Sequence, residues 1–452
     1  MGRFTRRWIL PVFYLTDHWI SRVGLWLVIS AVVLWIFLTG ASEASGYLGI
    51  LQFVALPVLF FAGLGLVPLG IALQRRREAP DHHLHLPERV EWGNRRVQRL
   101  VVFLAVATGF NVVVGGALSY RTVRYMESTN FCGTACHQVM GPEYAVHLVG
   151  GAHAQVRCVD CHVGEGAGAK IAAKWNGTRQ LVLLLTNRYS RPVPSPPHAL
   201  KTSAETCENC HNREHDYGNR LWRQSRFDDA GERLETALVM KVGRIHGAHL
   251  GKGRRIVYRA ADRQRKTMVA VRVEHGDEYG GAGTGAFERE MDCLDCHNRP
   301  AHAFETAERA VDREMAAGAL PQRVPRFRRA ALAVLGKAYP SREAAAEQIP
   351  AALLAYYKQN APDAMVLHRT ELERAGQRLL ALYQQNVYPE MKLTWGSYPQ
   401  HNGHTDSPGC FRCHNEELKT KSGKTMTQDC ESCHKVLGVE EKNLAALREL
   451  GG

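Results

Sequence analysis

The chain has 452 residues, room for two or three domains, and its hydrophobic fraction of 45% does not by itself separate a membrane protein from a soluble one. A formal charge of +13 would suit nucleic acid, but the arginines gather at the flanks of apolar spans, so no nucleic-acid partner is expected. All 12 cysteines fall into six close pairs, each followed directly by histidine, a regularity that disulfides, zinc or iron-sulfur ligation would leave unexplained.

In chain order, residues 23–42 give 20 uncharged residues, residues 44–74 give 31, and residues 100–120 give 21, each long enough to cross a bilayer as a helix. The first exceeds the roughly 7 to 15 apolar residues of a signal-peptide core, so a retained anchor is expected. Pro57 and Pro68 lie in the second span and predict a kink. Arg3, Arg6 and Arg7 precede the first span, and Arg75, Arg76, Arg77, Arg89, Arg95, Arg96 and Arg99 fill the connection between the second and third. The positive-inside rule puts both stretches in the cytoplasm and everything after Tyr120 outside. No histidine lies inside a span, which speaks against a b-type haem held there. His82, His83 and His85 in the cytoplasmic loop form a candidate metal site, although a solvated turn after Pro80 explains them more simply.

The paired cysteines are Cys132/Cys136, Cys158/Cys161, Cys207/Cys210, Cys293/Cys296, Cys410/Cys413 and Cys430/Cys433, followed by His137, His162, His211, His297, His414 and His434. Two cysteines at this spacing add to the two vinyl groups of one haem, and the adjacent histidine comes to lie under the iron. Six covalently bound haem c groups are therefore expected. Covalent haem addition takes place outside the cytoplasm, in agreement with the charge pattern. The first motif is irregular, with three residues between its cysteines, and Met140 comes within reach of the same iron.

Between motifs two and three, Lys170 and Lys174 share a face four residues apart, and with the apolar run 181–185 they read as an amphipathic helix near the membrane surface. Alternation at residues 256–258 and 268–273 predicts a small β-hairpin or sheet. Residues 303–390 read as helices separated by Pro321, Pro325, Pro340 and Pro350, and the tail after Val436 reads as a short charged helix. The expected fold is mainly α: transmembrane helices followed by a loop-rich extracytoplasmic multihaem cytochrome c domain with a small β-hairpin region. Its parts are a membrane anchor with three transmembrane helices (1–120), a domain for haems one to three (121–215) and a C-terminal domain for haems four to six (216–452).

Of the 21 histidines, six belong to motifs, and five or six more are needed if the irons are six-coordinate. His153 stands five residues before Cys158, His302 five after His297, and His404 six before Cys410, each able to fold across a neighbouring haem. His246 and His249 come as a pair, so that one turn could serve two haems, and His147 is a further candidate. His198, His215, His275, His368 and His401 rank below these. Two axial histidines close the iron to substrate and suit electron transfer.

The third span running into Phe131, Cys132, Cys136, His137, Met140, Glu143 and Tyr144, then His153 before the second motif, then Lys170 and Lys174, resembles the NapC/NirT family of membrane-anchored multihaem quinol dehydrogenases. Residues 240–436 further resemble its longer, ImcH-like inner-membrane members, through the blocks around His246 and His249, around Met291 to His302, and around Gly409 to His414. The resemblance implies a bacterial inner-membrane protein that oxidises menaquinol beside the first haem and passes electrons to periplasmic cytochromes or reductases. It also implies that Met140 ligates the first iron and that Lys170 or Lys174 binds the quinol. The chain departs from the family in lacking any Asp between Asp160 and Asp216, which leaves Glu143 as the candidate proton acceptor. Two rival readings are an electron-relay subunit of a larger respiratory or photosynthetic membrane complex, and a terminal reductase such as a nitrite reductase, which would need an open iron.

Overall fold

The computed structural model describes residues 18–38, 55–77, 113, 117, 120–121, 124–135, 138–149, 151–164, 166–197 and 201–444. The third expected span falls mostly outside these residues, as do His82, His83, His85, Cys136, His137 and His198, and the side chains of Lys170 and Lys174. The chain divides into two compact units, residues 1–140 and 141–452.

In the first unit, helices α1 (Trp19–Leu38) and α2 (Leu56–Arg77) pack against each other. Residues 56–74 are long and apolar enough to cross a membrane. Small residues permit the close approach: a Cβ added at Gly24 would stand 2.7 Å from the Gly63 carbonyl oxygen, and one at Gly63 equally close to that of Gly24. Pro68 lies inside α2, and the Ser21 hydroxyl donates to the Val67 carbonyl next to it at 3.1 Å. A short π-turn, Phe131–Ala135, carries Cys132, and a 3₁₀ turn, Gln138–Met140, ends the unit.

The second unit begins with α3 (Gly141–Val149) and α4 (Ala167–Leu185), the latter one unbroken helix bearing Lys170 and Lys174. Strands β1 (Arg220–Phe227) and β2 (Arg233–Met240) form an antiparallel hairpin. Its turn is held by the Asp228 carboxylate, which accepts from the amides of Ala230 and Glu232, with Gly231 at φ 81°. Helix α5 (Val242–Leu250) follows directly. A second, all-antiparallel sheet is made of β3 (Ile256–Ala260), β4 (Met268–Val273), β5 (Glu278–Gly280) and β6 (Phe287–Glu290) in the order β5-β4-β3-β6. Tyr258, Met268 and Val271 lie in its core.

The largest core belongs to the helical part: α6 (Ala307–Ala316), α7 (Phe327–Leu335), α8 (Arg342–Asn360), α9 (Pro362–Leu367) and α10 (Arg369–Asn386), built around Phe327, Ile349, Leu353, Leu372 and Leu379. Thr306 and Ser341 cap α6 and α8 by accepting from the amides of Arg309 and Ala344. Pro350 does not separate two helices as its residue type suggests; it lies within α8, where α10 packs on it, and a Cβ at Gly376 would come 3.0 Å from its Cα. The interhelical contact compensates for the backbone hydrogen bond that proline removes.

Two further expectations are corrected. The β content is more than a hairpin, since two sheets of three and four strands are present. The tail is not a helix over its described length: β7 (His434–Glu441) pairs antiparallel with β2, His434 opposite Met240 and Val436 opposite Leu238. Its charges suggested a helix, but β2 offers an edge with unpaired backbone groups, and Leu437 packs with Ala237 and Leu444.

Candidate haem sites

Each cysteine pair from the second motif onward lies in or beside a short turn. Cys158–His162 is one turn of helix, and Cys293–Asp295, Gly409–Arg412 and Cys430–Ser432 are 3₁₀ turns. Aspartates cap two of them: Asp292 accepts from the Leu294 amide at 2.9 Å and Asp429 from the Glu431 amide at 3.1 Å. In the third motif a helical turn, Ser203–Thr206, leads into Cys207, whose carbonyl accepts from the Cys210 amide at 3.1 Å and from the His211 amide at 2.8 Å. The described cysteines are all unbridged, and among the described residues no three of His, Cys, Asp or Glu converge as a bare metal site requires.

The cysteines are not sheltered alike, although the motifs treat them as equivalent. Cys210 is exposed, as are Cys410 and Cys430, whereas Cys158, Cys161, Cys207, Cys293, Cys296, Cys413 and Cys433 are half-buried. The turn of Cys210 lies in a stretch with little apolar packing among the described residues. A thiol joined to a porphyrin needs the cofactor's edge against it and not a protein wall, so the exposure of Cys210 is compatible with attachment without itself indicating it.

Every motif histidine among the described residues faces a second histidine. The ring centroids are 6.2 Å apart for His162 and His302, 6.0 Å for His211 and His153, 6.4 Å for His297 and His246, 5.9 Å for His414 and His249, and 6.1 Å for His434 and His404. An iron bound by one nitrogen of each ring, at about 2 Å from each, would set the centroids roughly 6 Å apart. The five pairs fit a haem iron between two imidazoles, and fit no hydrogen bond between the rings.

The orientation of the rings agrees. In four of the ten rings Nδ1 lies at hydrogen-bond distance from a backbone carbonyl: His153 from Pro300 at 3.2 Å, His249 from Ile245 at 2.8 Å, His302 from Glu143 at 3.1 Å and His414 from Thr427 at 2.7 Å. Donation from Nδ1 fixes the tautomer and leaves Nε2 with a free lone pair. Burial holds the imidazoles of His246, His249 and His434 below the usual histidine range and pushes His302 down to about 4, with the Arg299 charge adding to it. Neutral imidazole is the form that binds a metal.

One helix, α5, carries both His246 and His249 and so faces motifs four and five together. Beside it a cavity of about 730 Å³ is lined by Arg213, Glu214, Asp216, Arg244, His246 and Lys252 among others, a volume sufficient for a porphyrin. Motifs two to six follow chain order in space. Burial pushes up the thiol of Cys161 and Cys207 adds to it, with Cys210 a smaller contributor; Cys293 is likewise raised by burial and then, against a Ser203 hydrogen bond, by Cys207. Cys296 is pushed up to about 12 by burial and then by Cys410, and Cys410 by burial and then by Cys433.

The remaining candidates separate clearly. His147 is buried on α3, with neither ring nitrogen hydrogen-bonded, and its centroid is 5.7 Å from that of His302. His215 lies edge-on to Tyr217, and His368 pairs with Glu371. His275 occupies a left-handed turn at φ 58°. His401 is buried near Arg412 and Arg265, where burial and these two charges push it down to about 4. None of these four faces a motif histidine. Met140 ends the 3₁₀ turn that closes the first unit.

Glu143, the candidate proton acceptor, lies on α3. It is buried, with its carboxylate 2.6 Å from Nη2 of Arg299. Arg299 also donates to Ser195 at 3.0 Å and to the His302 carbonyl at 2.8 Å, and lies over the rings of Tyr398 and Phe304. No local pattern announces Arg299 as the anchor of this group; only the Asn298-Arg299-Pro300 sequence after motif four places it nearby.

Residues 94–226 match the NapC/NirT cytochrome c family, N-terminal region. The chain is 34% identical to the cytochrome c-type protein ImcH of Geobacter sulfurreducens, over 94% of this chain and 89% of the relative. No solved structure matches it.

Proposed function

The chain belongs to the NapC/NirT family of c-type cytochromes, electron-transfer proteins with covalently bound haem, and we propose that it is a six-haem conduit taking electrons from menaquinol to periplasmic acceptors. The observation that carries this reading is the set of five opposed histidine pairs, which suit irons closed to substrate. A terminal reductase would need an open iron, and no described pair offers one.

Bound haem supplies one-electron transfer; the protein supplies the ligands, the spacing and the surroundings. In this proposal Cys132 and Cys136 attach the first haem at the end of the membrane anchor, with Met140 and His137 as its candidate ligands. Menaquinol gives up two electrons, one at a time, and two protons to the extracytoplasmic side. Lys170 and Lys174, one turn apart on α4, are the side chains proposed to hold the quinol headgroup. Glu143, tied to Arg299, is better suited to holding His302 than to accepting those protons: its carbonyl orients the ring and its carboxylate fixes the arginine that grips the His302 backbone. The motifs then hand electrons on in chain order, two to six.

The test is to mix a reduced menaquinol analogue with the oxidised, detergent-solubilised protein and follow the haem absorbance. Reduction of the haems at a saturable rate, lost in a variant with both Lys170 and Lys174 replaced by Ala, is expected. Absence of any reduction would sink the proposal and favour the relay subunit, which receives electrons only from a partner protein.

A further inference from the structure

Motifs four and five are joined by a buried charged cluster that neither sequence motif requires. Asp295 lies inside the fourth motif, between Cys293 and Cys296, and Arg412 inside the fifth, between Cys410 and Cys413. Both are buried, as is Arg265 from the loop between β3 and β4. The Asp295 carboxylate accepts from Arg265 at 2.5 Å and from the Tyr258 hydroxyl at 2.6 Å, and its second oxygen accepts from the Asp292 amide at 2.8 Å. Arg412 has no carboxylate partner in this cluster. Its guanidinium donates to three backbone carbonyls, those of Gly409 at 2.8 Å, Arg265 at 2.7 Å and Asp295 at 2.7 Å.

The cluster acts in two ways. The first is geometric: Arg412 stitches the turn of the fifth motif to that of the fourth, while α5 supplies the histidines facing both. The second is electrostatic: the buried core of the cluster holds two cations and one anion, and the Arg289–Asp292 pair at its rim is neutral in sum. The excess positive charge touches both motifs, since Arg412 stands in the turn of the fifth and its guanidinium lies 2.7 Å from the Asp295 carbonyl in the fourth. A charge without a carboxylate partner is costly to bury, so its retention between two cofactor sites calls for a reason.

We propose that Arg412 makes haems four and five one electrostatic unit and holds both at a more positive reduction potential than they would have without it. The inference rests on the six-haem reading above. An oxidised haem iron carries one more positive charge than a reduced one, so a fixed cation in a medium of low dielectric disfavours oxidation of both. Electrons entering from the membrane side would then collect at this pair before leaving through motif six. The planar fork of arginine is what reaches three carbonyls on two motif turns and the loop before β4, which lysine cannot do.

The test uses the haem-loaded full-length protein, with haem content read from intact mass and potentials from a spectroelectrochemical titration. In Arg412→Gln, two of the six components are expected to move to lower potential, and in Asp295→Asn, which removes the anion, the same two are expected to move up. Arg412→Lys should keep the potentials and lose thermal stability. If Arg412→Gln does not load six haems, the upward shift in Asp295→Asn decides the matter. Unchanged potentials in fully loaded Arg412→Gln or Asp295→Asn would overturn the proposal and leave Arg412 a structural brace. If peptide mapping of the wild-type protein finds no haem on Cys293/Cys296 or Cys410/Cys413, it is the six-haem reading that fails instead.

Discussion

The Glu143–Arg299 pair offers a direct measure of what the ligand-bearing segments owe to buried charge. The side chains are 10% and 7% exposed, and the 2.6 Å contact ties α3 to the loop after motif four. At an effective dielectric of about 20, two charges this close attract by roughly 6 kcal/mol, most of which desolvation cancels. Removing one partner strands the other, and the expected loss is about 3 kcal/mol for either Glu143→Gln or Arg299→Met. The double variant strands nothing, so it should cost about as much as one single substitution, giving a coupling on the order of 3 kcal/mol. Thermal unfolding of the loaded protein, followed by far-ultraviolet circular dichroism, is the assay, and each single variant should unfold about 5–10 °C below the wild type. A double variant whose loss equals the sum of the two single losses would refute the argument. It would mean that the pair is solvated in solution and that Ser195, Tyr398 and Phe304 hold Arg299 unaided.

Three further outcomes bear on the fold and the ligands. Glu314 is buried between Arg313 and Arg378; burial alone would raise its carboxyl, but the two guanidinium groups overcome this and hold it below the usual range. A lowered folded-state pKa adds stability that is full above the unfolded carboxyl range and is lost as pH falls through the folded value. Because both arginines are half exposed, Glu314→Gln should cost only about 2 kcal/mol at neutral pH and flatten the decline in unfolding midpoint towards acid; an unaltered decline would rule the pair out as its source. Leu353→Ala, at a fully buried site of the helical core, should cost about 3 kcal/mol yet leave the haem content, read from intact mass, unchanged. His249→Ala should convert one haem from low-spin to high-spin absorption, whereas His401→Ala should leave the spectrum as it was.

Much of the site is legible in the sequence because the chemistry demands fixed local spacing: cysteine, cysteine and histidine must meet one porphyrin. How far each thiol is enclosed is not legible, since Cys210 and Cys161 have the same place in their motifs and differ only in what the rest of the chain packs around them. The opposing histidines are legible as a set but not as pairs. His302 follows His297 by five residues yet faces His162, and His153 precedes Cys158 by five yet faces His211. The reason is steric: a histidine on a tight turn beside a motif cannot pass around a porphyrin to the far face of the same iron, so it serves a neighbour. Which neighbour is decided by long-range packing, such as the tie from Arg299 to Glu143, 156 residues apart in sequence. The strand at residues 434–441 was hidden for a related reason, since its partner β2 lies about 200 residues earlier and its own charges resemble those of a surface helix. Pro350 misleads because residue type reports the local cost of a broken hydrogen bond and not the packing that offsets it.

The interleaving of ligands has a consequence for how the chain folds. Among the described residues, no apolar side chain between Val146 and Phe227 is buried, although that stretch carries motifs two and three. The helical part from α6 to α10, by contrast, has a continuous aliphatic and aromatic core and contains no cysteine. Without an apolar core, a segment cannot offset the conformational entropy lost on ordering its backbone, about 1–2 kcal/mol per residue. Haem attachment must therefore supply both the apolar surface and, through His302 and His153, the long-range ties. Protein made without haem attachment should accordingly be cut by a dilute protease within residues 150–215, while a fragment spanning α6 to α10 survives. Equal resistance of the two stretches would show that the segment of motifs two and three is held by the polypeptide alone, and that the opposed histidines are placed before any cofactor arrives.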